Sequence, residues 1–272
     1  MVKPTFLVIG VQKGGTTSLM RHLNLHKDIF FHQGEMAFFS NDNSYKTGTK
    51  EYEKKFNRGL ENHIQWMKSN KKINKKPKIY GEKTPEYIYN KQALVRIHKY
   101  NPKMKLIVVL REPISRAYSQ WNMYQKKKDH HLKDKKFKDM IDEYIKKFNL
   151  DFNKPDKFNL IKRGVYIYQL ANVLQLFPRE QVLILIKEDY EKKPVETLNK
   201  IFDFLGVEKI KSKNNVNYKN NVHKKQYETK ISKTDFTKLY LFYKEYNDAL
   251  YKLLGKPIKD WEKYYQDFFD NM

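Results

Sequence analysis

Phe6-Leu7-Val8-Ile9-Gly10-Val11-Gln12-Lys13-Gly14-Gly15-Thr16-Thr17-Ser18-Leu19 is the stretch on which the fold turns. Its first four residues are an uninterrupted apolar run, a glycine-bearing turn follows, and Leu19, Leu23 and Leu25 then mark a helix. Strand, turn and helix in that order bring the backbone N–H groups of the turn to a helix N-terminus, where the hydrogens and the helix dipole both favour an anion. Gly10 and Gly15 have the G-x-x-x-x-G spacing of a phosphate loop. The triphosphatase version of that loop puts a lysine directly after the second glycine. Here Thr16 stands there, and Lys13 is the loop's lysine.

Working outward, three more units repeat the rhythm. Ile79-Tyr80 runs through Gly81-Glu82-Lys83 into Thr84-Pro85, where Thr84 is the expected N-cap and Pro85 the expected first residue of a helix whose buried side is Ala93, Leu94 and Ile97. Leu106-Ile107-Val108-Val109-Leu110 is wholly apolar, as buried parallel strands are; Arg111-Glu112-Pro113 ends it, and a helix is expected from about Ile114 to Gln125. Val165, Leu170, Val173, Leu174 and Phe177 mark another helix, stopped by Pro178 and followed by a strand from Val182 to Ile186. The alternation predicts an α/β fold with a central parallel sheet flanked by helices, P-loop NTPase-like in outline. No repeat or boundary divides the chain, so residues 1–272 read as a single domain.

Two inserts interrupt this rhythm. Residues 43–78 carry Tyr52, Phe56, Leu60, Ile64 and Met67 at helical spacing; residues 126–160 place Phe137, Met140, Ile141, Tyr144, Ile145 and Phe148 on one helical face. Such inserts commonly line the mouth of a binding site. A last long helix carries Phe236, Leu239, Tyr240, Tyr243, Leu250, Leu253 and Leu254, closing at Gly255 with Pro257 beyond.

With 40% hydrophobic and 15% aromatic residues, a chain of 272 residues builds a core without covalent staples. No apolar run nears the roughly 18 residues that cross a bilayer, and Met1-Val2-Lys3-Pro4 leads straight into a strand, so neither a membrane span nor a signal peptide is expected. The chain has no cysteine, which excludes disulfides, thiolate metal sites and thiol nucleophiles. Together with the absence of any Asn-x-Ser/Thr sequon, this suits a reducing cytoplasm. The net charge of +24 could attract nucleic acid, an anionic membrane or a polyanionic substrate. That charge comes from 48 lysines and only 7 arginines, however, and a coding bias that inflates Lys and Asn together accounts for most of it.

A kinase or triphosphatase would offer an aspartate at a strand end to hold the magnesium shell. The strand ending at Leu110 delivers Arg111 instead, ahead of a helix N-terminus and of Ser119. An arginine fork and a helix dipole acting on one ligand suit a dianionic phosphate. The sequence thus provides two anion sites and no evident metal site; His130-His131 among lysines reads as a solvated turn. A nucleotide with phosphates at two separate positions, used without a metal, points to 3′-phosphoadenosine-5′-phosphosulfate.

At this point a family resemblance enters. VIGVQKGGTTSL (8–19) resembles the 5′-phosphosulfate loop of sulfotransferases, and VVLREPISRAYSQW (108–121) resembles their 3′-phosphate motif. GEKTPEYIY (81–89), RGVYIYQLANVLQLFP (163–178) and YNDALYKLLGKPIKDW (246–261) are similar, in order, to segments of heparan-sulfate-type and related bacterial sulfotransferases. The resemblance implies that Lys13 reaches the 5′-phosphate and the transferring sulfuryl group, with Gly14, Gly15, Thr16, Thr17 and Ser18 supplying donors. It also implies that Arg111 and Ser119 bind the 3′-phosphate, and that Lys83 lies near the phosphosulfate and the acceptor. By the same likeness Glu35, just ahead of an aromatic pair, is the general base, with His32 and Glu82 as substitutes. Arg163 lines the pocket, and the basic segment with Lys224 and Lys225 closes over the nucleotide. Where heparan-type members carry His and Asp around the aromatic pair, this chain has Ala37 and Ser40, which argues against a heparan acceptor while leaving sulfuryl transfer intact.

The expectation is therefore a sulfotransferase acting on a hydroxyl or amine of a glycan-like, possibly anionic acceptor, with 3′,5′-bisphosphoadenosine as product and neither a metal nor nucleic acid involved. The alternatives are a metal-dependent phosphate-loop kinase and a basic protein that stacks its Tyr and Phe residues on nucleic acid.

Overall fold

The structure is a computed structural model and describes residues 1–69, 76–153, 156, 158–210 and 231–271. In chain order its elements are β1 (Phe6–Gly10), α1 (Thr16–Leu23), β2 (Ile29–Phe31), α2 (Asp42–Lys46), α3 (Thr49–Ser69), β3 (Ile79–Lys83), α4 (Lys91–Tyr100), β4 (Lys105–Leu110), α5 (Pro113–Gln125), α6 (Phe137–Lys146), α7 (Tyr166–Leu174), β5 (Val182–Ile186), α8 (Lys187–Lys192), α9 (Pro194–Leu205), α10 (Lys233–Leu254) and α11 (Lys259–Asp270). Every strand pairing is parallel, and the order across the sheet is β2-β3-β1-β4-β5. The fold is α/β, as the alternation predicts.

β1 is the central strand and all five of its residues are buried. Phe6 and Val8 pack on one face with Leu19 and Leu23 of α1 and with Leu198, Ile201, Phe202 and Leu205 of α9. Leu7 and Ile9, which alternate to the other face, are buried too. A strand covered on both sides cannot carry a polar alternation, which is why its sequence is a plain apolar run. Because β3 and β4 flank β1, the loops leaving the carboxyl ends of β3 and β1 come side by side, where ligands of parallel sheets bind.

The backbone gathers into two compact units. Met1–Leu110 with Asn172–His223 holds the whole sheet with α1 to α4, α8 and α9; Arg111–Ala171 with Lys224–Met272 holds α5, α6, α10, α11 and most of α7. Among the described residues no linker marks the partition: the chain passes between units at the end of β4 and inside α7, and the third passage, at His223–Lys224, lies outside the described residues. In the second unit, Phe236, Leu239, Tyr243 and Leu250 of α10 and Trp261 and Tyr265 of α11 are buried, as are Phe137, Met140, Ile141 and Tyr144 of α6.

Several local expectations are corrected. Thr84 does not cap a helix: residues Tyr87–Tyr89 form a 3-10 turn, and α4 starts at Lys91 with the Asn90 side chain accepting from Ala93 N–H at 3.1 Å. The Thr84 hydroxyl is engaged elsewhere, as the site makes plain. The helix marked by Val165 to Phe177 runs only from Tyr166 to Leu174, with Arg163 in a 3-10 turn, Lys162–Gly164, ahead of it. β2, α9 and α11 go unread in the sequence. In the first insert the apolar stripe of α3 buries Tyr52, Phe56 and Leu60 but leaves Ile64 and Met67 half-buried. Of the histidine pair, His131 is exposed, while His130 stacks on Tyr124 at 4.2 Å.

Candidate active site

The glycine turn is built by close approach. Val11 N–H donates to Val109 O of β4 at 3.0 Å and Gly14 N–H to Val11 O at 2.9 Å, which folds the turn back on the sheet. A Cβ on Gly14 would stand 2.5 Å from Val109 O and 2.9 Å from Val11 O, so only glycine fits. Gly15 precedes α1 with φ 87°, the left-handed region, and has no side chain to cap the helix. Ser18 N–H and Leu19 N–H donate to Gly15 O at 3.1 and 3.2 Å, so it is the N–H groups of Thr16 and Thr17, ahead of those bonds, that an anion could use. Lys13, with φ 69°, is half-buried within the turn. Thr16 is buried and Thr17 exposed.

The neighbouring strand β3 brings up the second group. Lys83 pairs in register with Val8 of β1, and its side chain is only 6% exposed. Its Nζ meets Glu35 Oε1 at 3.2 Å, and Glu35, 52% exposed, has the access a general base needs. Glu82, one residue before Lys83, is fully buried: Oε2 accepts from the Thr84 hydroxyl at 3.0 Å, and Oε1 meets no donor among the described residues. Burial raises its pKa from 4.5 to about 7; the Tyr87 and Thr84 hydroxyls pull it down, the Glu35 charge pushes it up and Lys83 lowers it. Glu82 therefore cannot touch an acceptor. His32 is turned into α3, stacked on Phe56 at 5.8 Å with Gly59 against its ring, and burial and then Lys55 lower its pKa. The structure thus brings Lys83 and Glu35 together, buries Glu82 and packs the half-buried His32 against α3.

In the second unit, Arg111 follows β4 directly and Ser119 lies buried about 9 Å along α5 from its first residue. The start of α5 is held by Glu112, whose Oε1 accepts from Ile114 N–H at 2.8 Å and Tyr265 OH at 3.0 Å and whose Oε2 accepts from Ser115 N–H at 2.6 Å. The Tyr166 hydroxyl donates to Arg111 O at 2.7 Å. Arg163 is buried, and beside it Gly164 leaves room for Tyr243, whose hydroxyl a Cβ there would meet at 2.6 Å. Lys224 and Lys225 lie outside the described residues. No cluster of three or more His, Asp or Glu that could hold a metal occurs among the described residues, and no helix among them is long and apolar enough to cross a membrane.

Residues 3–248 match the family described as sulfotransferase domain. The chain belongs to the sulfotransferase family. It is 28% identical over 207 residues to heparan sulfate glucosamine 3-O-sulfotransferase 5 of Mus musculus, covering 75% of this chain and 54% of that protein. It is 30% identical over 209 residues to heparan sulfate glucosamine 3-O-sulfotransferase 3B1 of Homo sapiens, covering 76% and 47%. The chain spans about half the length of the curated relatives it matches. Among solved structures, the sulfotransferase from Alicyclobacillus acidocaldarius superposes with a TM-score of 0.72 at 20% identity, over 96% of this chain and 100% of that one, a likeness of fold.

Two residues of this sulfotransferase-family chain escape a sequence reading. Lys187 begins α8 at the end of β5, and its Cγ, Cδ and Cε lie 3.8–4.0 Å from the Cβ position of Gly15, while its ammonium meets Glu191 at 2.5 Å. Its only sequence signal is its place just after an apolar strand. Thr84 accepts from Ala37 N–H at 3.1 Å, so its hydroxyl joins Glu82 to the Glu35 turn.

Proposed function

We propose that this chain transfers the sulfuryl group of 3′-phosphoadenosine-5′-phosphosulfate to a hydroxyl or amine of a glycan-like acceptor. The observation that carries the proposal is the exposed carboxylate of Glu35 held by a buried Lys83 at the end of β3, beside the glycine turn of β1. The turn fits the donor's anionic end: a tight backbone, an open helix N-terminus and a cation within it. Lys13 and the backbone of Gly14 to Thr17, with Ser18, would hold the phosphosulfate; Arg111 and Ser119 would hold the 3′-phosphate, with Arg163 lining the pocket and Lys224 and Lys225 closing it. When bound, the donor supplies an activated sulfuryl group with a phosphate as leaving group.

The chain's own residues then have three tasks. Glu35 takes the proton of the acceptor hydroxyl as the new S–O bond forms. Lys83 orients Glu35 and, with Lys13, offsets negative charge on the departing phosphate oxygen. The helix dipole of α1 acts on the same charge. Neither Ala37 nor Ser40 brings an ionisable group to the turn, so acceptor handling rests elsewhere than in the heparan-type pattern.

Isothermal titration with 3′,5′-bisphosphoadenosine in the absence of magnesium tests the reading. Binding that Lys13→Ala weakens at least about tenfold is expected if positioned donors carry it. A protein that ignores this ligand and takes ATP with magnesium would be a kinase instead. Screening glycan acceptors with labelled donor then gives turnover, which Glu35→Gln should abolish while ligand affinity stays.

A further inference from the structure

The turn that carries Glu35 is strained and pinned from below. Gly34 and Ala37 both have left-handed backbones, φ 83° and 51°, and an alanine keeps that conformation only when its surroundings hold it. Ala37 N–H is held by the Thr84 hydroxyl at 3.1 Å, and Ala37 O accepts from Asn41 N–H at 3.1 Å. Two residues on, Phe39 N–H meets the Tyr87 hydroxyl at 3.5 Å and Phe39 O accepts from Arg96 at 3.1 Å. The Thr84 hydroxyl in turn donates to Glu82 at 3.0 Å. A fully buried carboxyl group therefore lies at the root of the contacts that shape the 34–39 segment.

We propose that Glu82 is a positioning residue, which holds the Glu35 turn against the end of β3 through the hydroxyl of Thr84. The proposal rests on the reading of Glu35 as the general base. The groups around Glu82 are Thr84 and Tyr87 from its own strand end and the turn beyond it, Lys83 beside it, Glu35 from the turn and Tyr52 from α3. Uncharged, Glu82 accepts from Thr84 and leaves Lys83 to Glu35. Ionised, it repels Glu35 and competes for Lys83, and its unpartnered Oε1 becomes a buried charge.

Amide hydrogen exchange at Ala37 reads this directly in the whole chain. Thr84→Val keeps the shape and removes the pin, and should speed Ala37 exchange about fivefold, as the loss of one net hydrogen bond of about 1 kcal/mol implies, without affecting amides of β4. Glu82→Gln keeps an acceptor for Thr84 and should preserve protection. Glu82→Ala, which leaves the Thr84 hydroxyl without its acceptor, should lose protection. Unchanged Ala37 exchange in Thr84→Val, or in Glu82→Ala, would overturn the proposal. Binding of 3′,5′-bisphosphoadenosine, measured on the same samples, separates this from the functional reading: its absence in the wild type removes the base role of Glu35, whereas normal binding with unaltered exchange removes Glu82 alone.

Discussion

Gly14→Ala tests whether the glycine turn is a ligand cradle or only a connection. The new Cβ would sit 2.5 Å from Val109 O, whereas a carbon–oxygen contact settles near 3.3 Å, so the turn must retreat by roughly 0.8 Å. Val109 O is also the acceptor that Val11 N–H uses at 3.0 Å, and Gly14 N–H bonds to Val11 O at 2.9 Å, so the retreat strains the bonds that shape the turn. Overpacking of this kind costs about 1–3 kcal/mol and a lost hydrogen bond about 1 kcal/mol, giving a destabilisation of roughly 2–4 kcal/mol. Positioned donors are worth about 2.7–4 kcal/mol each when they meet developing charge, so even a partial misplacement should weaken 3′,5′-bisphosphoadenosine binding by more than about tenfold. Urea unfolding gives the first quantity and titration calorimetry without magnesium the second. A variant that binds within about twofold of the wild type would refute the assignment of the turn to the donor, because a shift of that size cannot leave a phosphate cradle intact.

Three other outcomes are expected. Glu82 has a folded pKa of about 7 against 4.5, so its contribution to stability is complete below pH 4.5 and falls away as pH rises to 7, by about 3 kcal/mol in total; urea unfolding of wild type and Glu82→Gln should diverge over that window, and parallel curves would contradict it. Glu112→Ala removes the cap of α5 and strands the buried Tyr265 hydroxyl, for a loss of roughly 2–4 kcal/mol by chemical denaturation; less than about 1 kcal/mol would mean the cap is replaced by water. Lys187→Met keeps the stem packed on Gly15 and removes the charge: stability should change by less than about 1 kcal/mol, because the Glu191 pair is partly exposed, while bisphosphoadenosine affinity should fall several-fold. Unaltered affinity would confine Lys187 to packing.

The legible part of this protein is what neighbouring residues express together. Apolar runs at Phe6 and Leu106 became parallel strands because a strand buried on both faces needs no alternation, the run at Val182 became the half-buried edge strand beside them, and the glycine spacing from Gly10 to Gly15 marks a turn that no other residue fits. The three residues of β2 were too short a run to separate from a loop, and where the chain crosses between the two units at the end of β4 and inside α7 there is no linker to read. The Thr84 cap failed for a related reason: a threonine before a proline has the local chemistry of an N-cap, but its hydroxyl is taken by Glu82 and Ala37 from outside the segment.

Sequence alone determined the fold class, the glycine turn and the residue types that could serve there, since each depends on chain neighbours and on the fixed periods of strand and helix. Tertiary structure alone decided which of three acidic or basic candidates stands open to an acceptor. Glu35 meets Lys83 across 48 positions, Glu82 disappears into the core, and Lys187 arrives at Gly15 from the far end of the sheet. Burial and pairing between residues so distant along the chain exist only once the strands are laid side by side, and it is burial and pairing that set protonation, reach and charge.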